Sequence, residues 1–102
     1  MGIDVRWENE DGKLIEEILD PEMCISHLLL RMDLTGTTCL RFVDPYGDTT
    51  FNQRQIPTLI EELKSALPKV SEHRVKDHLR RVIELAEKCR GEIHTYLKFY
   101  GD

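Results

Sequence analysis

The segment DPYGDTTFN, residues 44–52, concentrates side chains that could bind a ligand. Asp44, Asp48 and Asn52 recur every fourth residue and carry the oxygen atoms that hard cations prefer. A calcium loop of the EF-hand type, however, has glycine at its sixth position and glutamate at its twelfth, where this segment has Thr49 and Gln55. A type I turn accounts for the same residues, since Asp, Pro and Gly suit its first, second and fourth places. The sequence therefore favours a structural turn over a metal loop.

A second interpretation of this segment is a rigid polar recognition turn beside a helix N-terminus. Its members would be Asp44, Tyr46, Asp48, Asn52 and Arg54. Phosphate-binding glycine loops, the nucleophile-elbow motif and the zinc-protease motif do not occur in the sequence. We therefore predict no catalytic residue, no metal and no cofactor.

His94 and Cys39 are the weaker candidates for chemistry, as a base and a nucleophile. Nothing in their local sequence brings the two side chains together. They remain candidates only for a pocket between helices and sheet, which Asp44 and Asp48 would also line. Such a pocket is the basis for an alternative hypothesis, a small enzyme or ligand-binding domain.

Carboxylates are concentrated near the N-terminus, on two predicted strands and the turn between them. The group consists of Glu8, Glu10, Asp11, Glu16 and Glu17. Charges of this kind discourage pairing between sheet edges, and they can also dock a basic protein. With 14 basic and 19 acidic side chains, the net charge is −5. This balance argues against nucleic acid and anionic membranes as partners.

The elements that must position these side chains follow from hydrophobic periodicity. Alternation predicts strands over 3–8, 13–19, 38–43, 49–51 and 95–100. Apolar stripes predict a helix that begins between 52 and 57 and ends at 67, and another over 71–90. A short helix at 21–31, opened by Asp20 as its N-cap, competes with a strand over 28–32. This order predicts an α+β two-layer sandwich, with a mainly antiparallel sheet of about five strands and two main helices on one face.

The chain has 102 residues, enough for a single domain spanning 1–102. Its three cysteines are widely spaced and fit no common zinc spacing, so we predict buried, reduced thiols in a cytoplasmic protein. The longest apolar run, Leu28–Leu30, is far too short to span a membrane.

Two segments, CLRFVDPYGDTTFNQ and HTYLKFYGD, resemble a set of short bacterial hypothetical proteins. The resemblance implies a bacterial origin and no particular activity. Size and acidity favour a small non-enzymatic protein-binding module, such as an adaptor or an immunity- or antitoxin-like neutraliser of a basic partner. The remaining alternative is a structural homodimer formed through the exposed side of the sheet.

Overall fold

A computed structural model describes residues 2–101; Met1 and Asp102, which the single-domain assignment includes, lie outside the described residues. The elements are the strands β1 (Asp4–Asn9), β2 (Leu14–Ile18), β3 (Asp48–Phe51) and β4 (Thr95–Tyr100), and the helices α1 (Cys24–Arg31), α2 (Ile56–Ala66) and α3 (His73–Arg90). Short 3₁₀ turns occupy Leu40–Phe42 and Leu67–Lys69. The α+β class is confirmed, but the described sheet has four strands and not five.

The sheet is antiparallel throughout, with strand order β2–β1–β4–β3. The last strand, β4, lies in the middle of the sheet, between β1 and β3. Val5, Leu97 and Phe99 are fully buried on one face, where the helices contribute the rest of a single hydrophobic core. Arg6 and Lys98 alternate with them and lie on the opposite, open face.

The β1–β2 hairpin closes as its sequence predicts. The Asn9 side-chain carbonyl accepts hydrogen bonds from the backbone N–H groups of Asp11 and Lys13, both at 2.9 Å. Gly12 adopts a φ of 80°, a conformation that costs glycine little. These contacts close the hairpin beside β1, and β2 is therefore an outermost strand of the sheet.

The predicted strand over 38–43 is wrong, because this segment ends in a 3₁₀ turn. The Glu62 carboxylate on α2 accepts hydrogen bonds from three successive backbone N–H groups, those of Thr38, Cys39 and Leu40, at 2.6, 3.1 and 3.0 Å. In a strand, successive backbone N–H groups point alternately to opposite sides. Consecutive N–H groups that all point at one acceptor therefore cannot belong to a strand with two neighbours. The apolar spacing of Leu40 and Phe42 resembles a strand, yet Leu40 is buried and Phe42 is exposed.

The short helix α1 is confirmed in place of the competing strand, and it begins at Cys24. The Asp20 carboxylate accepts the N–H groups of Cys24 and Ile25, at 2.7 and 3.1 Å. Asp20 therefore bonds the first N–H groups of α1, but the N-cap residue is Met23 and not Asp20, and the helix begins three residues later than predicted. None of the helices within residues 2–101 has the length and apolarity needed to cross a membrane.

The helix α2 begins inside the predicted window. Asn52 and Gln55 bond reciprocally: the Asn52 side chain accepts the Gln55 N–H at 3.1 Å, and the Gln55 side chain accepts the Asn52 N–H at 2.9 Å. This arrangement is a capping box, one turn before the first regular helical residue. The N-terminal turn of α2 is therefore fixed relative to β3.

Candidate functional site

The outer strand β2 exposes apolar side chains beside carboxylates. Its residues from Leu14 to Glu17 are all exposed, and Ile15 and Leu19 are 46% and 56% accessible. The pairing with β1 skips Ile15, because Trp7 pairs with Glu16 and Glu8 with Leu14. We call the group formed by Glu10, Asp11, Leu14, Ile15, Glu16, Glu17 and Leu19 the β2 surface. A bulged residue at a sheet edge projects away from the regular ladder, so Ile15 is available for contact.

Most carboxylates of the β2 surface are ion-paired within the chain. Glu10 contacts His94 at 3.3 Å, Glu16 contacts Lys88 at 3.1 Å, and Glu17 contacts Arg6 at 3.3 Å. Asp11 makes no ion pair with any residue in the described part of the chain. All these carboxylates are substantially exposed, and exposed pairs of this kind contribute only about 0–1 kcal/mol. The surface is therefore less acidic than the sequence suggests, although its charges are free to exchange partners.

Glu8, which the sequence groups with these carboxylates, is only 3% accessible and belongs to a separate network of polar side chains. It lies on the open face of the sheet, where it accepts a 2.7 Å hydrogen bond from the Tyr100 hydroxyl and pairs with Lys98 at 3.3 Å. Arg6 lies over the Tyr100 ring, 5.3 Å from its centroid. Burial and the Glu8 carboxylate raise the pKa of Tyr100, and the same carboxylate raises the pKa of Lys98. Glu8 is thus the buried centre of a polar network and not part of an exposed docking surface.

The segment 44–48 forms the structural turn that the sequence favours. The Asp44 carboxylate accepts the Tyr46 N–H at 2.8 Å, and the Gly47 N–H points to the Asp44 carbonyl at 3.4 Å. The Thr49 hydroxyl accepts the Asp44 N–H at 2.9 Å. The backbone and the carboxylate of Asp44 therefore both make hydrogen bonds that stabilise the turn.

The proposed members of the recognition turn lie at two ends of β3. Tyr46 and Asp48 lie before and at the start of the strand, whereas Asn52 and Arg54 follow its end. A strand of this length separates the two groups by about 10 Å. Tyr46 is 80% accessible and remains available for contact, while Asn52 is committed to the cap of α2.

The candidate pocket residues do not converge. His94 precedes β4, whereas Asp48 pairs with Tyr100 at the other end of that strand, about 20 Å away. Cys39 is buried, and its Sγ contacts the Gln55 carbonyl oxygen at 3.7 Å. Burial, followed by the Glu62 carboxylate, raises the pKa of the Cys39 thiol. The exposed His94 contacts Glu10 and the buried Cys39 thiol contacts the Gln55 carbonyl, an arrangement that does not form a catalytic pair.

A cleft of about 330 Å³ opens on the helical side of the molecule instead. It lies between α1 and the segment that connects α2 to α3, and its rim includes Arg31, Lys69 and Glu72. None of the pocket residues predicted from the sequence lines it.

Two polar features of the structure are not predicted as sites from the sequence. One is a fully hydrogen-bonded side-chain amide, and the other is a buried cluster of three side chains. The Gln53 side-chain amide donates to the carbonyls of Cys89, Glu92 and Thr95, at 2.8, 2.9 and 3.1 Å, and joins the end of α3 to β4. Asp20, Cys24 and His78 form a buried cluster of metal-ligating side chains. The 54-residue separation between Cys24 and His78 conceals this cluster from any local motif search.

Comparisons with protein-family models, curated proteins and solved structures gave no match to this chain.

Proposed function

We propose that this chain is a small non-enzymatic protein-binding module of the cytoplasm, which binds a basic protein through the β2 surface. The observation that carries the proposal is the exposure of Ile15 on the outermost strand β2 and of Leu19 directly after it. An edge strand offers unpaired backbone groups, and it can bind an extended segment of another protein by backbone hydrogen bonds.

The charge distribution favours a basic partner. Glu10, Asp11, Glu16 and Glu17 surround the exposed apolar side chains, and the whole chain carries a net charge of −5. Because the intramolecular ion pairs are exposed, a lysine or arginine of the partner can replace Lys88 or Arg6 at little cost. An adaptor or a neutraliser of a basic protein would use such a surface.

Capture from a lysate of the source organism tests the proposal with matched variants. Immobilised wild-type chain is compared with Ile15→Lys, which places a positive charge on the β2 surface, and with Leu30→Lys, which changes a more exposed apolar residue on α1. We expect one basic protein to be retained by the wild type and by Leu30→Lys, lost on Ile15→Lys, and eluted by increasing salt.

The captured protein is then purified and titrated against each variant by calorimetry, with one-to-one stoichiometry expected. Retention of the same proteins by all three chains, or of none at low salt, would contradict the proposal. Sedimentation at two protein concentrations distinguishes the homodimer alternative, since a dimer that Ile15→Lys dissociates would assign the β2 surface to self-association.

A further inference from the structure

Three side chains with metal-ligating atoms meet in the interior. Asp20 follows β2, Cys24 is the first residue of α1, and His78 lies in the second turn of α3. One ligand atom from each lies within 4.8 Å of the other two. All three residues are buried, and the His78 side chain is only 8% accessible.

The Asp20 carboxylate accepts three backbone hydrogen bonds from the described residues. Its Oδ2 accepts the N–H groups of Ile3 and Ile25, both at 3.1 Å, and its Oδ1 accepts that of Cys24 at 2.7 Å. A carboxylate has about four lone-pair sites, so within residues 2–101 one site on Oδ1 receives no hydrogen bond. His78 Nε2 lies 3.7 Å from this oxygen, which is too long for a hydrogen bond.

His78 Nε2 has no hydrogen-bond partner among the described residues, although the atom is buried. A buried polar atom without a partner is costly and uncommon, and it requires an explanation such as an ion at that position. The orphan nitrogen, the remaining carboxylate lone pair and the Cys24 thiol face one another. This is a second, independent sign that the cluster accommodates a ligand.

The geometry points to a binding site for a divalent zinc-type ion, held by Asp20, Cys24 and His78. Metal bonds of about 2.0–2.3 Å place the ligand atoms of a tetrahedral site about 3.3–3.8 Å apart. The 3.7 Å between Asp20 Oδ1 and His78 Nε2 already meets this spacing, and a closure of about 1 Å at most completes it. Three protein ligands leave the fourth position for a water molecule.

Charge balance suits this ion in a buried position. A dipositive ion with one carboxylate and one thiolate is neutral, which limits the cost of burial. On binding, the Cys24 S–H bond breaks, an S–metal bond forms, and the proton leaves to solvent. Burial, and then the Asp20 carboxylate, raise the pKa of Cys24, so the metal must supply the driving force for this loss. Burial lowers the pKa of His78, which keeps the imidazole in the neutral form that coordinates metal.

The ion would join the end of β2 and the start of α1 to α3. The site is independent of the β2 surface, and neither proposal requires the other.

Cobalt titration tests the site, since Co²⁺ occupies zinc sites and reports thiolate coordination by its charge-transfer absorption. Chelator-treated full-length chain is titrated with Co²⁺, both folded and during refolding, and native mass spectrometry counts the bound ions. We expect one ion per chain, a thiolate-to-cobalt band, one proton released, displacement by Zn²⁺ and a higher Tm. We expect Cys24→Ser to remove the band and His78→Asn to weaken binding at least about tenfold.

Matched controls are Cys39→Ser, which removes another buried thiol, and His73→Gln, which changes an exposed histidine on the same helix. Both should bind Co²⁺ as the wild type does. The proposal is overturned if the wild type shows no saturable thiolate band in either preparation, or if the band survives in Cys24→Ser. The first of these outcomes depends only on the wild-type spectrum. The proposal can therefore be rejected even if a variant fails to fold.

Discussion

The Glu62 side chain, on α2, determines the path of the chain between α1 and β3. Its carboxylate accepts hydrogen bonds from three successive backbone N–H groups and from the Thr38 hydroxyl. Burial raises the pKa of this carboxyl, but the hydrogen bonds lower it more, so that the net pKa lies below its ordinary value of 4.5. Hydrogen bonds to a charged acceptor contribute about 1.5–3 kcal/mol each in favourable cases.

We expect Glu62→Gln to lower the free energy of unfolding by about 1–2 kcal/mol at neutral pH, because the charge is lost and one oxygen becomes a donor. Glu61→Gln, an exposed neighbour, should change it by less than about 0.5 kcal/mol. Urea unfolding of the three chains measures the effect.

The difference in unfolding free energy between wild type and Glu62→Gln should depend on pH. A folded-state pKa below 4.5 means that the Glu62 contribution is complete above that pH and is lost as the pH falls through the folded-state pKa. The difference between wild type and Glu62→Gln should therefore narrow in acid. A difference that is absent at neutral pH, or that grows as the pH falls below 4.5, would contradict this account of the 38–42 segment.

Among the elements, the end of β4 and the 44–47 turn make a close backbone contact that depends on glycine. The Gly101 N–H donates to the Gly47 carbonyl at 2.8 Å. A Cβ at Gly101 would lie 2.4 Å from the Pro45 carbonyl oxygen and 2.6 Å from that of Asp44. Backbone atoms cannot move aside as a flexible side chain can, so any side chain at this position displaces the turn.

We expect Gly101→Ala to cost about 1–3 kcal/mol of unfolding free energy. Gly36→Ala is the matched control, since a Cβ at Gly36 meets nothing within 4 Å. That variant should be neutral within about 0.5 kcal/mol. Thermal and urea unfolding measure both, and equal stability of the two variants would show that the turn is not held against β4.

The sequence predicts the elements whose pattern is local. The stripe of α2, the capping box that precedes it and the alternation of β4 are each contained in one short segment. The strand predicted over 38–43 fails because Glu62, which fixes that segment, is more than twenty residues away. Of the five grouped hairpin carboxylates, Glu10, Asp11, Glu16 and Glu17 are exposed. Periodicity cannot show that Tyr100 and Lys98 bury the fifth, Glu8. Contacts between residues distant in sequence, and not local propensity, determine the structure of the 38–43 segment and the burial of Glu8.

For the whole molecule, the two faces of the sheet have different roles. One face is covered by the helices and forms the core, while the other carries the Glu8 network, in which the Glu8 carboxylate binds Tyr100 and Lys98. The β2 edge of the sheet instead presents exposed apolar side chains between carboxylates. The proposed binding function follows from this contrast.

Hydrogen–deuterium exchange of the chain, free and in complex with the captured basic protein, tests the role of this edge most directly. We expect slower exchange of the backbone amides in Leu14–Ile18 on binding, with exchange in α1 unchanged. Protection confined to the helical cleft or to the 44–48 turn, with exchange in β2 unaltered, would contradict the assignment of the β2 surface as the binding site.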